Sequence, residues 1–286
     1  MSKSIVGKIK INSFADIVGG EDPAVTEVPL KDLHTIKNHP FRVLDDEKMD
    51  ETVKSIKENG VLVPGIVRPR PEGGYEIIAG HRRKRACELA GLETMPVMIR
   101  DYTDDEAIIA MVDSNIQRED ILPSEKAHAY RQKYDVVKHQ GVSGGNSLDM
   151  IGAAAGDCGK TVQRFIALSY LTDRLLDYVD KKKIPVRSGV ELSCLGDKEQ
   201  KWLEEVLDDS TVVIPIGKAK KIKGYFLNGE LSKGLIKEIL TAEDAESTKV
   251  VLKPDRLMKY FPRDMLAEEI EERIYEILDE WKKGGN

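Results

Sequence analysis

From residue 28 to residue 113, short apolar runs alternate with amphipathic stretches. Beyond Asn115 the apolar spacing is helical almost throughout. Val28 to Ile36 predicts a first strand and turn. Asn38-His39-Pro40 breaks it, because Pro40 disfavours helix at the residue before it. Asp45 to Asn59 predicts a helix: Met49, Val53 and Ile56 recur at i, i+4 and i+7, Asp45, Asp46 and Glu47 sit at its positive end, and Gly60 stops it. Val61 to Val63 and Ile66-Val67 flank Pro64-Gly65 and read as a broken or edge strand. The turn Pro71-Glu72-Gly73-Gly74 leads into Tyr75 to Ala79, a hairpin-like arrangement. A short helix from about Arg82 to Ala90 ends at Gly91, and Pro96 to Arg100 is the next strand. Thr103 and Glu106 have capping-box spacing and open a helix to about Asp113.

Pro123 suits the first turn of a helix that runs to about His139. Gly141 to Asn146 reads as a Gly/Ser loop, two short helices follow, and further helices continue to about Leu207. Val212 to Ile216 and the lysine-rich Gly217 to Gly224 read as a hinge. The last helix, Met265 to Trp281, places Leu266, Ile270, Ile274, Ile277, Leu278 and Trp281 on one face. That stripe fits a dimer interface and fits equally the closing face of a further core. The predicted fold class is α+β. A flexible arm covers 1–26, a small α/β domain 27–118, an all-helical domain 119–207, and a hinge with a mainly helical C-terminal region 208–286.

Composition narrows the classes. With 41% apolar residues in 286, real cores are available and wholesale disorder is excluded. The balance of 44 basic against 50 acidic side chains rules out a uniformly basic nucleic-acid coat and leaves room for a local basic face. No run approaches the ~18–20 apolar residues of a membrane span, and Met1 to Asn12 lacks the apolar core of a signal peptide. Cys87, Cys158 and Cys194 are far apart, without a CxxC pair, and the histidines show no ligand spacing. Neither a zinc site nor a disulfide framework is indicated, and the reducing cytoplasm is the expected location.

Three constellations could carry chemistry. Gly80-His81-Arg82-Arg83-Lys84-Arg85 lies where a strand ends and a helix opens. A glycine allows close backbone approach, a helix start offers unpaired N–H groups, and arginines add bidentate donors, all of which suit a phosphate. The same run would also serve as a solvated basic face. Ser114 to Asp120 joins the α/β part to the helical part, and reads either as a polar ligand shelf or as a hydrogen-bonded interdomain turn. Leu148 to Ile166 has helix-turn-helix spacing: Ile151, Gly152, Val162 and Phe165 are apolar or small, Gly156 sits at the turn, and Ser147 is placed to cap the first helix. Its second helix would expose Lys160, Thr161, Gln163 and Arg164 to phosphates and base edges, unless the pair is an ordinary helical hairpin. Gly159-Lys160-Thr161 ends like the phosphate-binding GxxxxGK[ST], but residue 154 is alanine and the preceding segment reads as helix, so that motif is rejected.

In this order and spacing the blocks resemble the ParB/RepB family of DNA-partition proteins, over roughly residues 26–200. The resemblance rests on Asn38-His39-Pro40-Phe41-Arg42, Gly60-Val61-Leu62-Val63-Pro64, Gly73 to Gly80 running into Arg82-Arg83 and Arg85-Ala86, and Asn115-Ile116-Gln117-Arg118-Glu119-Asp120. It implies a nucleotide-binding-like N-terminal domain that takes CTP with Mg²⁺ and closes a dimeric clamp on DNA. It implies a helix-turn-helix bound to a centromere-like, palindromic double-stranded site, a ParA-type ATPase as partner, and a nucleoid- or plasmid-associated location. By position, Gly80, Arg82, Arg83, Arg85 and Ala86 would hold the triphosphate, Arg42 and Asn115 would complete the pocket, and Arg118 would contact nucleotide or bridge toward DNA.

Two positions depart from the family pattern. His81 stands where the family has Glu, and Ser114 stands where it has an acidic residue before N-x-Q-R. Carboxylates that would hold Mg²⁺ or support hydrolysis are therefore missing, and any CTPase activity is expected to be weak. The region after about 205 does not match chromosomal members on inspection, which points to a plasmid or mobile-element relative. Two rivals stay open: a nucleotide-independent transcriptional regulator, and an ATP-using enzyme with a sulfiredoxin-like domain, although Gly80 occupies the place of sulfiredoxin's reactive cysteine.

Overall fold

The computed structural model describes residues 24–118, 120–139, 145–208, 213–242, 259–262 and 265–284. Strand β1 (Val25–Pro29) opens the fold, followed by β2 (Leu33–Thr35), α1 (Glu47–Asn59), β3 (Gly65–Pro69), β4 (Tyr75–Ala79), α2 (His81–Ala90), β5 (Thr94–Ile99) and α3 (Asp104–Asn115). A run of helices follows: α4 (Pro123–His139), α5 (Gly145–Gly152), α6 (Gly159–Leu168), α7 (Asp173–Asp180), α8 (Val186–Leu192), α9 (Asp197–Asp208), α10 (Ile216–Leu227) and α11 (Lys233–Thr241). Helix α12 (Ala267–Gly284) belongs to a separate compact unit that starts at Ala242. The α+β class holds.

The five strands form one mixed sheet in the order β1-β5-β3-β4-β2. β3 is therefore central rather than an edge strand. Pro64 lies one residue before the strand, so its missing N–H is not asked of the ladder. Alternation along the strands builds two cores. Val67, Ile77 and Val97 face α1 and α2, with Met49, Ala86 and Met95. Ile66, Ile78 and Met98 face the other way, onto Met111 of α3, Tyr130 of α4, and Ile151, Val162 and Ile166 of α5 and α6. The sheet part and the first helices of the bundle thus share a core, and the boundary drawn at residue 118 falls inside one packed unit. A third core fills the bundle from α6 to α11, around Leu168, Leu175, Leu203, Ile222 and Ile236.

Local rules explain most element ends. Asp46 caps α1 by accepting from the Met49 N–H at 2.9 Å. Thr103 and Glu106 form the predicted capping box. Gly91 closes α2 at φ +78°. Four expectations need correction. β1 begins at Val25, inside the segment read as a flexible arm; residues 1–23 lie outside the described residues. Gly145 and Asn146, read as loop, already belong to α5, so Ser147 lies within the helix and does not cap it. The lysine-rich segment read as a hinge is α10, because Ala219 and Ile222, three residues apart, both bury completely against the bundle. The last helix begins at Ala267 and reaches Gly284.

The turn between α5 and α6 carries the tightest packing. Gly156 adopts φ +70° there, as a left-handed turn residue must. At Gly152 an added Cβ would lie 2.2 Å from the Asp157 carbonyl oxygen and 2.8 Å from Val162 Cγ2. Gly152→Ala is expected to cost about 2 kcal/mol or more and to lower the thermal unfolding midpoint followed by circular dichroism. An unchanged midpoint would show that the turn can relax.

Candidate functional site

A cleft of about 180 Å³ opens where the sheet part meets the bundle, lined by His39, Phe41, Arg42, Val43, Ala79, Gly80, His81, Arg82, Arg83, Ser114, Asn115 and Arg118. Three segments build it. Strand β4 is followed by Gly80, whose φ of +116° no other residue adopts comfortably; a Cβ there would meet the Gly65 Cα at 3.2 Å. Helix α2 then starts without a side-chain cap, so its first N–H groups face the cleft. The segment 38–43 is held against α4: Gln132 Nε2 donates to the Asn38 carbonyl at 2.7 Å, and the Arg42 N–H donates to Glu125 Oε1 at 2.7 Å. The end of α3 supplies Ser114 and Asn115.

Four arginines meet around this space in different electrostatic states. Arg82 is paired with Asp46 at 2.9 Å. Arg42 reaches Asp180 only at 3.8 Å and stays half exposed. Arg83 has no carboxylate partner among the described residues; its Nη1 donates to the Val63 and Pro64 carbonyls at 2.5 Å, and burial pulls its pKa down. Arg118 has no acidic partner among the described residues either. Among the described residues no Asp or Glu lines the cleft. Buried positive charge without a counter-ion is costly, and an anion relieves it.

Sequence reading missed His39, which comes to the site only through the fold. Its ring stacks on His81 with centroids 3.9 Å apart. His39 Nδ1 lies 2.7 Å from the Phe41 carbonyl and must donate to it, so its Nε2 carries the lone pair. Both Nε2 atoms are buried without a hydrogen-bond partner among the described residues. Burial, then the charges of His39 and Lys84, push the pKa of His81 down to about 3. Burial also lowers that of His39. Two neutral imidazoles thus sit among the arginines.

The second constellation is a helix-turn-helix. On α6, Lys160, Gln163 and Arg164 are exposed, and the two cations have no acidic partner among the described residues. Thr161 is half-buried, with its hydroxyl 3.3 Å from Cys158 Sγ. Asp149 of α5 accepts from the Gly159 N–H at 2.6 Å and so caps α6 across the turn. The segment after the cleft is tied to the helix-turn-helix in space: Gln117 Nε2 donates to the Ala154 carbonyl at 2.5 Å.

Residues 16–116 match the family model described as the ParB N-terminal domain. The nucleoid occlusion protein of Listeria innocua is 30% identical over 253 residues, covering 88% of this chain and 81% of that protein. The chain belongs to the ParB family. The chromosome-partitioning protein Spo0J of Thermus thermophilus is 30% identical over 185 residues, 64% of this chain and 65% of that protein. The C-terminally truncated ParB of Caulobacter crescentus is a structural neighbour in two complexes. With the centromeric parS site the match is 24% identical, covers 75% of this chain and 98% of that one, and has a TM-score of 0.44. With CTP-gamma-S the match is 26% identical, covers 69% and 98%, and has a TM-score of 0.32.

The similarity to the Listeria protein spans 253 residues and so runs past residue 205, which corrects the reading of an unmatched C-terminal region. Of the residues that the ParB resemblance assigns to nucleotide, Arg42, Gly80, His81, Arg82, Arg83, Asn115 and Arg118 come together in the cleft. Arg85 and Ala86 do not line it. At about 100° per residue they fall on other faces of α2: Arg85 pairs with Asp45 at 2.6 Å, and Ala86 is wholly buried against the sheet. Cys87 is also buried, so no thiol stands at the cleft for sulfiredoxin-like chemistry.

The unfolded chain binds a proton on His81 near pH 6.5 that the folded imidazole refuses until about pH 3. Stability is therefore full above pH 6.5 and falls as the pH drops below it. At pH 5 the expected loss from His81 is about 2 kcal/mol, seen as a lower thermal midpoint than at pH 7.5. The His81→Gln variant should lose less over the same interval; an equal loss would assign the acid sensitivity elsewhere.

Proposed function

We propose that this ParB-family chain is a sequence-specific double-stranded DNA-binding protein for DNA segregation or maintenance, whose N-terminal cleft takes CTP and gates a clamp. The observation that carries the reading is the placement of Arg83 and Arg118, neither with an acidic partner among the described residues, beside an uncapped helix start, with Gln117 tying the next segment to a helix-turn-helix whose exposed Lys160 and Arg164 likewise have no acidic partner among the described residues. The triphosphate would lie on the Gly80 turn and the first N–H groups of α2, with Arg83, Arg118 and Arg42 as donors and Asn115 closing the far side. Mg²⁺ does not fit as an ion held by the described residues: their lining offers no carboxylate, and Asp113, next to the cleft in sequence, is turned into an ion pair with Lys133. The nucleotide's own phosphates and water would have to hold it. Binding without efficient hydrolysis is the expectation.

The DNA would be read by α6 through Lys160, Gln163 and Arg164, with Thr161 beside them. The apolar stripe on helix α12, with Ile270, Ile274, Ile277, Leu278 and Trp281, is the interface this reading gives to a dimer. A two-fold dimer on a palindromic, centromere-like site, a ParA-type ATPase as partner and association with the nucleoid complete the proposal. Among the described residues no helix is long and apolar enough to cross a membrane.

Calorimetry with CTP, ATP, GTP and UTP, each with Mg²⁺ and with EDTA, tests the cleft. Selective CTP binding is expected, weakened on the order of 10–100-fold in Arg83→Ala by loss of a charge-assisted donor. Selective ATP binding would move the cleft to an enzymatic role, and no binding at millimolar nucleotide would leave a nucleotide-independent regulator. For DNA, Lys160→Ala and Arg164→Ala should weaken binding and flatten its salt dependence. Isotherms unchanged at two salt concentrations would remove α6 from the interface.

A further inference from the structure

The lysine-rich segment Gly217 to Gly224 has no duty in the cleft or on the reading helix, yet it is a well-packed helix. Of its four lysines, two serve the fold. Lys218 is buried and donates to the Leu240 carbonyl at 3.0 Å, and Lys223 pairs with Glu191 of α8 at 2.8 Å. Lys220 and Lys221 are exposed and have no acidic partner among the described residues. Helix α10 contains no acidic residue at all, so nothing on the helix itself offsets their charge.

Two ties fix how α10 lies. The Ile214 N–H, just before α10, donates to the Lys183 carbonyl, just before α8, at 3.1 Å. Further along both helices comes the Lys223–Glu191 pair. The helices therefore run side by side in the same direction. Arg187 lies four residues before Glu191 and Lys220 three residues before Lys223, each one turn back on the same face of its helix. That sets Arg187 and Lys220 at one level. Arg187 is exposed and, like Lys182 at the preceding turn, has no acidic partner among the described residues. By contrast, Lys181 is paired with Asp177 and Arg174 with Asp208. On its other side α8 packs closely on the reading helix: an added Cβ at Gly189 would lie 2.6 Å from Leu168 Cδ1 of α6.

We propose that Lys182, Arg187, Lys220 and Lys221 form a second DNA contact, a cationic strip over α8 and α10 that grips the phosphate backbone beside the groove read by α6. This rests on the DNA-binding reading of α6 given above. Contacts to phosphate oxygens carry no sequence information, so the strip contributes affinity and salt dependence.

The test uses the full chain, a random-sequence 40-base-pair duplex and fluorescence anisotropy over a salt series. Lys220→Gln/Lys221→Gln should lower the slope of log affinity against log salt by about 2, one increment per released contact, with an unchanged thermal midpoint. A charge-matched control, Lys201→Gln/Lys237→Gln, at exposed lysines of α9 and α11, should leave the slope as in the wild type. An unchanged slope in Lys220→Gln/Lys221→Gln overturns the strip while leaving the α6 reading intact, and so does an equal fall in the control, which would mark a net-charge effect. Failure of the wild type to bind the duplex at low salt overturns the DNA reading itself.

Discussion

The buried ion pair between Asp113 and Lys133 is the constraint on which the arrangement of both sites depends. The side chains are 8% and 7% exposed, their charged atoms 2.5 Å apart, and they join α3 at the end of the sheet part to α4 at the start of the bundle. Burial raises the Asp113 pKa while the lysine draws it down, so the pair survives only as a pair. Such a pair adds little net stability, but removing one partner strands a buried charge at a cost of about 3–5 kcal/mol. Its effect here is rotational. With Asp113 locked inward, each following residue turns by about 100°, which brings Ser114 and Asn115 to the cleft. Gln117, just past the helix end, then reaches the Ala154 carbonyl. One inward carboxylate therefore sets the cleft wall and the contact to the helix-turn-helix together.

Helix α2 shows how a run of basic residues is sorted by the same geometry. Arg82 goes to Asp46, Lys84 to the Leu33 carbonyl at 2.9 Å, and Arg85 to Asp45. Arg83 is turned between the Val63 and Pro64 carbonyls, without a counter-ion among the described residues, at the cleft. What looks in sequence like one polybasic patch is three structural contacts and one residue whose charge is left unmatched. The positive charge at the cleft that lacks an acidic partner among the described residues is that of this residue and Arg118, not the count of basic side chains.

Much of this was legible beforehand because the rules concerned are local. The capping box at Thr103, the glycine at 80 and the helix-turn-helix spacing around Gly156 each act within a few residues. The failures are where distant partners decide. Gly217 to Gly224 looks like a hinge until Ala219 and Ile222 find the bundle core, and β3 looks like an edge until β5 pairs with it in parallel. His39 could not be assigned to the cleft, since its stacking on His81 joins segments 42 residues apart in the chain. Arg85 and Ala86 were assigned by position in a motif, and their helical phase puts them on other faces.

Helix α6 is held entirely from behind. Asp149 caps its first turn, Asp157 before it accepts from Tyr130 and pairs with Lys126 at 2.6 Å, and Val162 and Ile166 bury into the core shared with the sheet. Gly152 and Gly189 let α5 and α8 close on it without side chains in the way. None of these contacts uses Lys160, Gln163 or Arg164. The fold thus fixes the position of α6 with one set of residues and leaves another set free of structural duty. The exposed face can be altered without disturbing the turn, and a change in the turn displaces the whole face as a rigid body. The exposed face and the packed face of this helix are separable to the extent that they share no residue, and Thr161, half-buried and bonded to Cys158, is a position where they meet.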